Sequence, residues 1–213
     1  MRVPRRETTC RRTACLVIGL FVAMLAPTTS QAKPVRSLFE QRREHVIVQQ
    51  FDLSCGAAAL TTLLNYQHGE NLTEHEVAVR LIGREEYLAN PTLVAAQQGF
   101  SLLDLKRVAD SYGYEGIGYG RLTLDDLIAK APIIVPISVF GYNHFVIFRG
   151  VLGDRVLLAD PAYGNRTMRT DRFLDAWIDF GEIGKVGFVV APPLGLEVPN
   201  LMAAKPEDFL ILR

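Results

Sequence analysis

The stretch that decides the fold is Val46 to Leu64, VIVQQFDLSCGAAALTTLL. Its first three residues are apolar and β-branched, and they predict a short strand. After a polar turn, the run that begins at Cys55 contains good helix formers without proline and predicts a helix over residues 55–66. Cys55 would then lie in the first helical turn. Free backbone N–H groups and the positive end of the helix dipole there favour a thiolate, the nucleophilic form of cysteine.

The first 32 residues have the features of a secretory signal peptide. A basic segment with five arginines and one glutamate precedes an apolar run at 14–26, which is too short to span a membrane comfortably. Ser30-Gln31-Ala32 then fits a signal peptidase cleavage site. The alternative is an uncleaved N-terminal anchor. We expect a signal peptide at residues 1–32, a periplasmic or secreted location, and no membrane span once the signal is removed.

Removal of this signal would change both the charge and the cysteine content. The 213 residues include 23 basic and 23 acidic side chains, and without the signal's five arginines and one glutamate 18 basic and 22 acidic ones remain. This acidic balance, without a basic patch and interleaved aromatics, argues against nucleic-acid binding. Cys10 and Cys15 would leave with the signal, so Cys55 would be the single cysteine. A single thiol excludes an internal disulfide or redox pair and leaves core packing or catalysis as its role.

The rest of the chain changes character near its middle. A polar leader is expected at residues 33–44, followed by a domain at 45–191 and an extended tail at 192–213. Capping boxes at Thr73 and Ser101 predict helices in the first half of the domain. In the second half, apolar β-branched runs predict strands at 133–139, 144–151, 155–159 and 185–191. A helix-rich half followed by an antiparallel β half predicts an α+β fold with a cleft between the halves.

A cysteine nucleophile needs a base, and the base needs an orienting group. Of the four histidines, His45, His68 and His75 have simpler interpretations as solvent-facing residues. His144 differs because it opens the apolar strand HFVIF directly after a Gly-Tyr-Asn loop, where a side chain can reach a cleft. His144 is therefore the candidate base.

Asp160 is the candidate orienting group for this histidine. If strands 144–149 and 155–159 form a hairpin, they run antiparallel, and the start of the first lies beside the end of the second. Asp160 follows the second strand directly. The spacing therefore places its carboxylate within hydrogen-bond reach of the His144 imidazole.

An amide donor close to the cysteine would complete a site for acyl transfer. The tetrahedral intermediate carries a negative oxygen, which needs a backbone N–H and a nearby side-chain donor. Gln49 and Gln50 both precede Cys55 closely, and spacing alone does not choose between them. The sequence has no His-x-x-x-His or Cys-x-x-Cys spacing, so we expect neither a metal nor another cofactor.

Together these residues resemble the bacteriocin-processing, double-glycine leader peptidase family, whose members are papain-like cysteine peptidases. The similarity covers about residues 45–190, and Gly99 to Leu105 also resembles the family's middle helix start. The matching motifs are Val48-Gln49, Cys55-Gly56-x-Ala58, His144-Phe145-Val146 and Asp160-Pro161. The resemblance implies a papain-like fold in which a helical half packs on an antiparallel β-sheet half. The family pattern assigns the nucleophile to Cys55, the base to His144, the orienting acid to Asp160, and the oxyanion donor to Gln49 rather than Gln50.

Two features depart from the best-known members of that family, which are cytoplasmic domains fused to export transporters. This sequence shows no transporter segment and carries an export signal, so it is more similar to stand-alone exported members, including those of functional-amyloid secretion systems. Ser54 also stands where many members have Asp. The resemblance implies a polypeptide substrate that is exported and cut after small residues such as Gly-Gly, with secretion-system components as further partners.

Two other functions use the same residue pattern. Some members of the family have lost the nucleophile and only bind a leader peptide, and papain-like acyltransferases and amidases use the same triad. All four catalytic positions are filled in this sequence, which favours a peptidase over a binding module.

Overall fold

A computed structural model describes residues 37–83, 100–193, 196 and 198–212. The predicted signal peptide, the first part of the leader and the loop around Asn90-Pro91 lie outside these residues. The helices are α1 (Leu38–Arg43), α2 (Cys55–His68), α3 (Glu74–Ile82), α4 (Leu102–Ser111), α5 (Leu124–Lys130), α6 (Thr170–Ala176) and α7 (Pro206–Ile211). The strands are β1 (Glu115–Tyr119), β2 (Ile133–Val139), β3 (Tyr142–Leu152), β4 (Arg155–Asp160), β5 (Gly164–Arg169) and β6 (Gly187–Ala191).

The six strands form one antiparallel sheet in the order β1-β6-β2-β3-β4-β5. The central strand β2 pairs with β3 over its whole length, from Ile133 opposite Phe148 to Val139 opposite Tyr142. Strand β3 then turns at residues 153–154 into β4, as the sequence predicted. The predicted α+β arrangement is therefore confirmed, with helices α1 to α4 before the first strand and the whole described sheet after them.

Each face of the sheet is covered by helices and buries its own apolar cluster. On one face, side chains of α2, α3 and α4, including Leu60, Leu81 and Leu105, meet Ile147 and Phe188 of the sheet. On the other face, α5 and α6 cover a second cluster formed by Leu127, Val135, Val146, Phe148, Phe173 and Trp177. Burial of this much apolar surface is the main force that fixes α2 against the sheet.

Helix α2 approaches the sheet closely because its first turn is made of small residues. A Cβ atom at Gly56 would lie 3.3 Å from both Leu105 Cδ2 and Phe145 Cδ2, which is a tight contact. Ala57, Ala58 and the rest of the buried face of the helix are fully enclosed. The Cys-Gly-Ala-Ala-Ala run therefore lets the N-terminus of α2 lie directly beside β3.

Residues 46–49 do not form the predicted strand. The segment before α2 is irregular backbone, and its N–H groups donate to acceptors that do not belong to a strand. Ile47 N–H donates to Thr62 Oγ1 at 2.9 Å, and Gln49 N–H donates to the Pro161 carbonyl at 2.8 Å. The apolar character of this segment agrees with the burial of Val46. Its backbone N–H groups, however, bond to a helix side chain and to a turn instead of a neighbouring strand.

Two further elements were not predicted from the sequence, and the prediction of an extended tail is wrong. Strand β5 was not predicted, because its sequence GNRTMR is polar and lies at the edge of the sheet. The leader contains a short helix, α1, whose first turn is capped by Ser37. The tail is not extended throughout, since it ends in α7 and buries Met202, Phe209 and Leu212.

Within the described part of the chain, no helix has the length and apolar character that a membrane crossing requires.

Candidate active site

Cys55 occupies the first position of α2, as predicted, with Ser54 as the N-cap. Its backbone N–H is one of the four at a helix N-terminus that have no partner inside the helix. The residue is only 3% exposed, and it lies in the wall of a cleft with a volume of about 440 Å³. Helix α2 thus presents a sheltered sulfur together with free N–H groups.

His144 lies near the start of β3 and also lines this cleft. Its Nε2 lies 2.7 Å from Asp160 Oδ1, which confirms the contact that the hairpin spacing predicted. The register of β3 and β4 pairs Ile147 with Ala159, and its continuation places Asp160 opposite Val146. His144 and Asp160 are therefore diagonal neighbours on one face of the hairpin rather than a directly opposed pair.

Asp160 is fully buried, and its carboxylate is held by three donors. Oδ1 accepts hydrogen bonds from His144 and, at 2.8 Å, from the Ala162 N–H. Oδ2 accepts a hydrogen bond from Arg166 Nε at 2.7 Å. Burial raises the pKa of Asp160, but the His144 hydrogen bond and charge, followed by Arg166 and the Ala162 N–H, hold it below its ordinary value. The side chain is thus kept as a carboxylate.

The charge state of His144 depends on this carboxylate and on Cys55. Burial lowers the pKa of His144, but the hydrogen bonds and negative charges of Asp160 and Cys55 outweigh burial and raise the pKa to about 9. Because Asp160 takes Nε2, the cysteine interacts with Nδ1. That nitrogen is buried, and the sulfur of Cys55 is the group near it that raises the pKa of His144. The imidazole lies between a thiol and a carboxylate, and its raised pKa keeps it protonated near neutral pH.

The two glutamines before Cys55 have different environments. The side chain of Gln49 is half-buried, and its Nε2 donates to the Phe51 carbonyl at 3.1 Å. Its Oε1 is buried without a hydrogen-bond partner among the described residues. Gln50 is exposed, and its backbone N–H donates to Glu74 Oε2 at 2.9 Å. Of the two, only Gln49 has a buried amide oxygen.

The comparison with known proteins agrees with this geometry. Residues 43–180 match the sequence profile of the Peptidase C39 family. This range contains Cys55, His144 and Asp160. The chain belongs to the Peptidase C39 family. It is also 35% identical over 177 residues to the probable functional amyloid protease FapD of Pseudomonas fluorescens, a match that covers 81% of this chain and 74% of that protein. The FapD protein of Pseudomonas aeruginosa matches at 35% identity over 175 residues. This protein is thus a cysteine peptidase, as its sequence predicted.

Solved structures of C39 peptidase domains share its fold. A double-glycine-motif protease of an AMS/PCAT transporter, crystallised with a leader peptide, superposes with a TM-score of 0.54 at 24% identity. That match covers 69% of this chain and 90% of the other. The peptidase domain of Streptococcus ComA gives a TM-score of 0.53 at 18% identity and covers 70% of this chain and 98% of the other. The predicted papain-like fold is confirmed.

The cleft of this C39 peptidase is lined mainly by apolar side chains. Its lining includes the start of α4 and the segment between α6 and β6, and none of the described tail residues. The apolar members of this lining are Phe100, Leu102, Leu103, Phe145, Ile178, Phe180, Ile183 and Val186. Of these, Leu103, Phe180 and Ile183 are exposed. In the described part of the chain, no cluster of three or more His, Cys, Asp or Glu side chains could hold a metal ion.

Sequence reasoning missed two residues that contact the candidate machinery. Arg166 lies in β5, which was not predicted, yet it donates the third hydrogen bond that Asp160 accepts. Glu74 follows the Thr73 N-cap, a position that is normally solvated, yet its side chain is buried against the loop before Cys55. The only sequence feature that could indicate Arg166 is its position, six residues after Asp160. No sequence feature indicated that Glu74 is buried. His68, predicted to face solvent, is half-buried and contacts the Val190 carbonyl.

Proposed function

We propose that Cys55, His144, Asp160 and Gln49 are the catalytic residues, and that the protein cuts an exported polypeptide after small residues. The observation that carries this proposal is the imidazole of His144, which lies between the Cys55 thiol and the Asp160 carboxylate at the wall of an open cleft. In cysteine peptidases this arrangement generates the attacking thiolate and supplies a proton to the leaving group.

The reaction would proceed in two steps. The Cys55 thiolate forms a bond to the carbonyl carbon of the scissile peptide, and the carbonyl electron pair moves to the oxygen. His144 gives its Nδ1 proton to the leaving amine as the C–N bond breaks, which leaves an acyl-enzyme thioester and a neutral imidazole. That imidazole then removes a proton from water as it attacks the thioester, and the acid product leaves with restoration of the thiolate–imidazolium pair. Asp160 keeps Nε2 protonated throughout and so directs Nδ1 at the sulfur.

Two donors would stabilise the oxyanion. The Cys55 N–H lies at the positive end of α2, and the Gln49 amide lies in the loop directly before it. Gln49 Nε2 carries two hydrogens and uses one on Phe51 O, so the second is free to donate to an oxygen. This assignment supports the choice of Gln49 over Gln50, whose exposed side chain lies on the surface.

The substrate would present small residues at the cut. Cys55 and His144 are 3% and 7% exposed, so only a slender backbone can reach the sulfur, and a Gly-Gly sequence has the slenderest one. The apolar wall of the cleft could bind apolar side chains that precede the cut. The related transporter protease is described as a double-glycine-motif protease bound to a leader peptide, and the two Pseudomonas relatives are named as functional amyloid proteases. These names support a role in amyloid export, with secretion-system components as further partners.

The proposed location rests on the sequence alone. The pattern at residues 1–32 supports export to the periplasm or beyond. A fusion of this chain to a reporter that is active only after export would give signal, and the same fusion without residues 1–32 would not. Equal reporter signal from both fusions would contradict the proposal.

Proteolysis is tested with synthetic peptides that carry apolar residues upstream of a Gly-Gly pair. The purified chain is incubated with each peptide, and mass spectrometry identifies the cut bond. We expect cleavage after the second glycine, loss of cleavage in Cys55→Ala, and strong reduction when either glycine is replaced by valine. Labelling of Cys55 by iodoacetamide without cleavage of any peptide or exported protein would contradict the peptide specificity. Absence of both labelling and cleavage would contradict the catalytic assignment itself.

A further inference from the structure

Glu74 is a buried carboxylate that the proposed mechanism does not use. It is the first residue of α3 and is only 4% exposed. An acidic residue in this position is normally a solvated first-turn residue that complements the helix dipole. Here its side chain turns inward and contacts the segment Gln49–Ser54, which we call the nucleophile loop.

Both carboxylate oxygens of Glu74 bind the nucleophile loop. Oε2 accepts the backbone N–H of Gln50 at 2.9 Å, and Oε1 is hydrogen-bonded to the hydroxyl of Ser54. Ser54 is the N-cap of the helix that begins with Cys55, and it is 3% exposed. Glu74 thus joins the two ends of the loop, one residue after Gln49 and one residue before Cys55.

The loop also contains an internal network that includes the proposed oxyanion donor. The carbonyl of Phe51 accepts from Gln49 Nε2 at 3.1 Å, and it lies 2.7 Å from Ser54 Oγ, whose one hydrogen it shares with Glu74 Oε1. Leu53 adopts a left-handed backbone conformation with φ of 64°, which an L-residue accepts only when its surroundings hold it. The loop therefore has no regular structure to keep its shape and depends on these side-chain contacts.

We infer that Glu74 is a positioning residue whose hydrogen bonds hold the nucleophile loop so that the Gln49 amide and the Cys55 N–H converge on one oxyanion. This inference rests on the proposed catalytic roles of Cys55 and Gln49. Glu74 touches neither the sulfur nor His144 in any contact of the described residues, so it acts through the loop. Loss of the contacts would let the oxyanion donors move apart, while the thiolate–imidazolium pair would remain.

The geometry separates two variants of almost equal size. In Glu74→Gln the amide oxygen can accept from Gln50 N–H, and the amide NH₂ can donate to Ser54 Oγ, whose own hydrogen then serves Phe51 O. All the loop contacts would survive without the charge. Glu74→Leu fills the same space but provides no acceptor, so both contacts are lost.

The test compares peptide cleavage with alkylation of Cys55 by iodoacetamide. Alkylation needs the thiolate but has no tetrahedral oxyanion, so it does not depend on the oxyanion donors. For Glu74→Leu we expect kcat for a cleaved Gly-Gly peptide to fall by about 30- to 300-fold, since loss of one oxyanion donor costs about 10²–10³ in kcat. The alkylation rate should stay at the level of the original chain. Glu74→Gln should restore kcat.

Glu76→Leu is the matched control, because Glu76 caps the same helix through Thr73 and does not touch the nucleophile loop. It should lower the melting temperature without a change in kcat. Full cleavage activity in folded Glu74→Leu would overturn the inference, and so would equal losses of cleavage and alkylation. A kcat in Glu74→Gln as low as in Glu74→Leu would also overturn it, because the charge rather than the hydrogen bonds would then matter. Failure of the proposed catalytic roles is recognised separately, by cleavage that persists in Cys55→Ala.

Discussion

Replacement of Asp160 by asparagine tests the triad most directly, because papain-like enzymes can use either side chain to orient their histidine. In this protein the exchange is not neutral. The carboxylate accepts three hydrogen bonds, two on Oδ1 and one on Oδ2 from Arg166 at 2.7 Å. An asparagine that keeps its oxygen towards His144 and Ala162 must point its NH₂ at the N–H of Arg166. The variant therefore loses an acceptor and leaves a guanidinium without its partner.

The size of the effect follows from the distance between the charges. The 2.7 Å hydrogen bond between His144 and Asp160 places the centres of charge about 4 Å apart. At an effective dielectric constant of about 20, one such pair contributes about 4 kcal/mol, which corresponds to about 3 pKa units. The pKa of His144, raised to about 9 in the original chain, should thus fall to about 6 in Asp160→Asn. At pH 7.5 only about one molecule in 30 would keep the imidazolium.

The measurement is kcat/KM for a cleaved peptide between pH 5 and 10, which reports the ionisations of the free enzyme. We expect the alkaline limb to move down by about 3 pH units, so that the loss is severe at pH 7.5 and small near pH 5.5. Asp160→Asn combined with Arg166→Met removes the clash of donors and the unpaired positive charge, and it should recover part of the activity at pH 7.5. An alkaline limb that stays near pH 9 in Asp160→Asn, or a loss that is the same at every pH, would refute this reasoning.

Three further predictions concern single contacts. Arg166→Met should cost about 1.5–3 kcal/mol of unfolding free energy near neutral pH, measured by the fluorescence of the only tryptophan, buried Trp177. The pKa of Asp160 is lower in the folded protein than in the unfolded chain. The loss of unfolding free energy should therefore be full at any pH above the ordinary pKa of Asp, and it should vanish as the pH falls through the folded pKa. A loss that stays constant in acid would contradict this prediction. Gln49→Ala should lower kcat about 10²-fold or more with normal alkylation of Cys55, whereas Gln50→Ala should change neither. Phe209→Ala should cost about 3 kcal/mol without a change in kcat, and an unchanged unfolding free energy would mean that the tail does not stabilise the domain.

The sequence predicted the parts of the fold that depend on local signals. Capping boxes at Ser101 and Thr73 predicted the starts of α4 and α3, and the small residues after Cys55 predicted α2. The contact between His144 and Asp160 was predictable because a hairpin with a short turn fixes which residues lie side by side. In these cases the residues that determine the structure are close to one another in the chain.

What the sequence could not predict depends on contacts between distant segments. The segment at 46–49 has the composition of a strand, but its backbone bonds to Thr62 and Pro161, so no neighbouring strand is available to it. Strand β5 is an edge strand that pairs only with β4, and an edge position tolerates a polar sequence that does not read as a strand. Helix α7 is held because Phe209 and Leu212, at the end of the chain, pack on Leu157 of the distant strand β4. Amphipathic periodicity carries no information on such partners.

The same distinction separates the proposed triad from the residues that support it. A nucleophile, a base and an acid have to be particular residue types, so their chemistry alone limits the candidates to a few positions of the chain. A supporting residue only has to bring a hydrogen-bonding group to the right place, and many residue types on many elements can do so. Arg166 reaches Asp160 from an edge strand, and Glu74 reaches the nucleophile loop from the start of a helix. Glu74 is itself buried, and Arg166, which is 23% exposed, pairs with the fully buried carboxylate of Asp160. A buried charge costs several kcal/mol unless its partners compensate it, so the fold itself indicates where such a partner is needed.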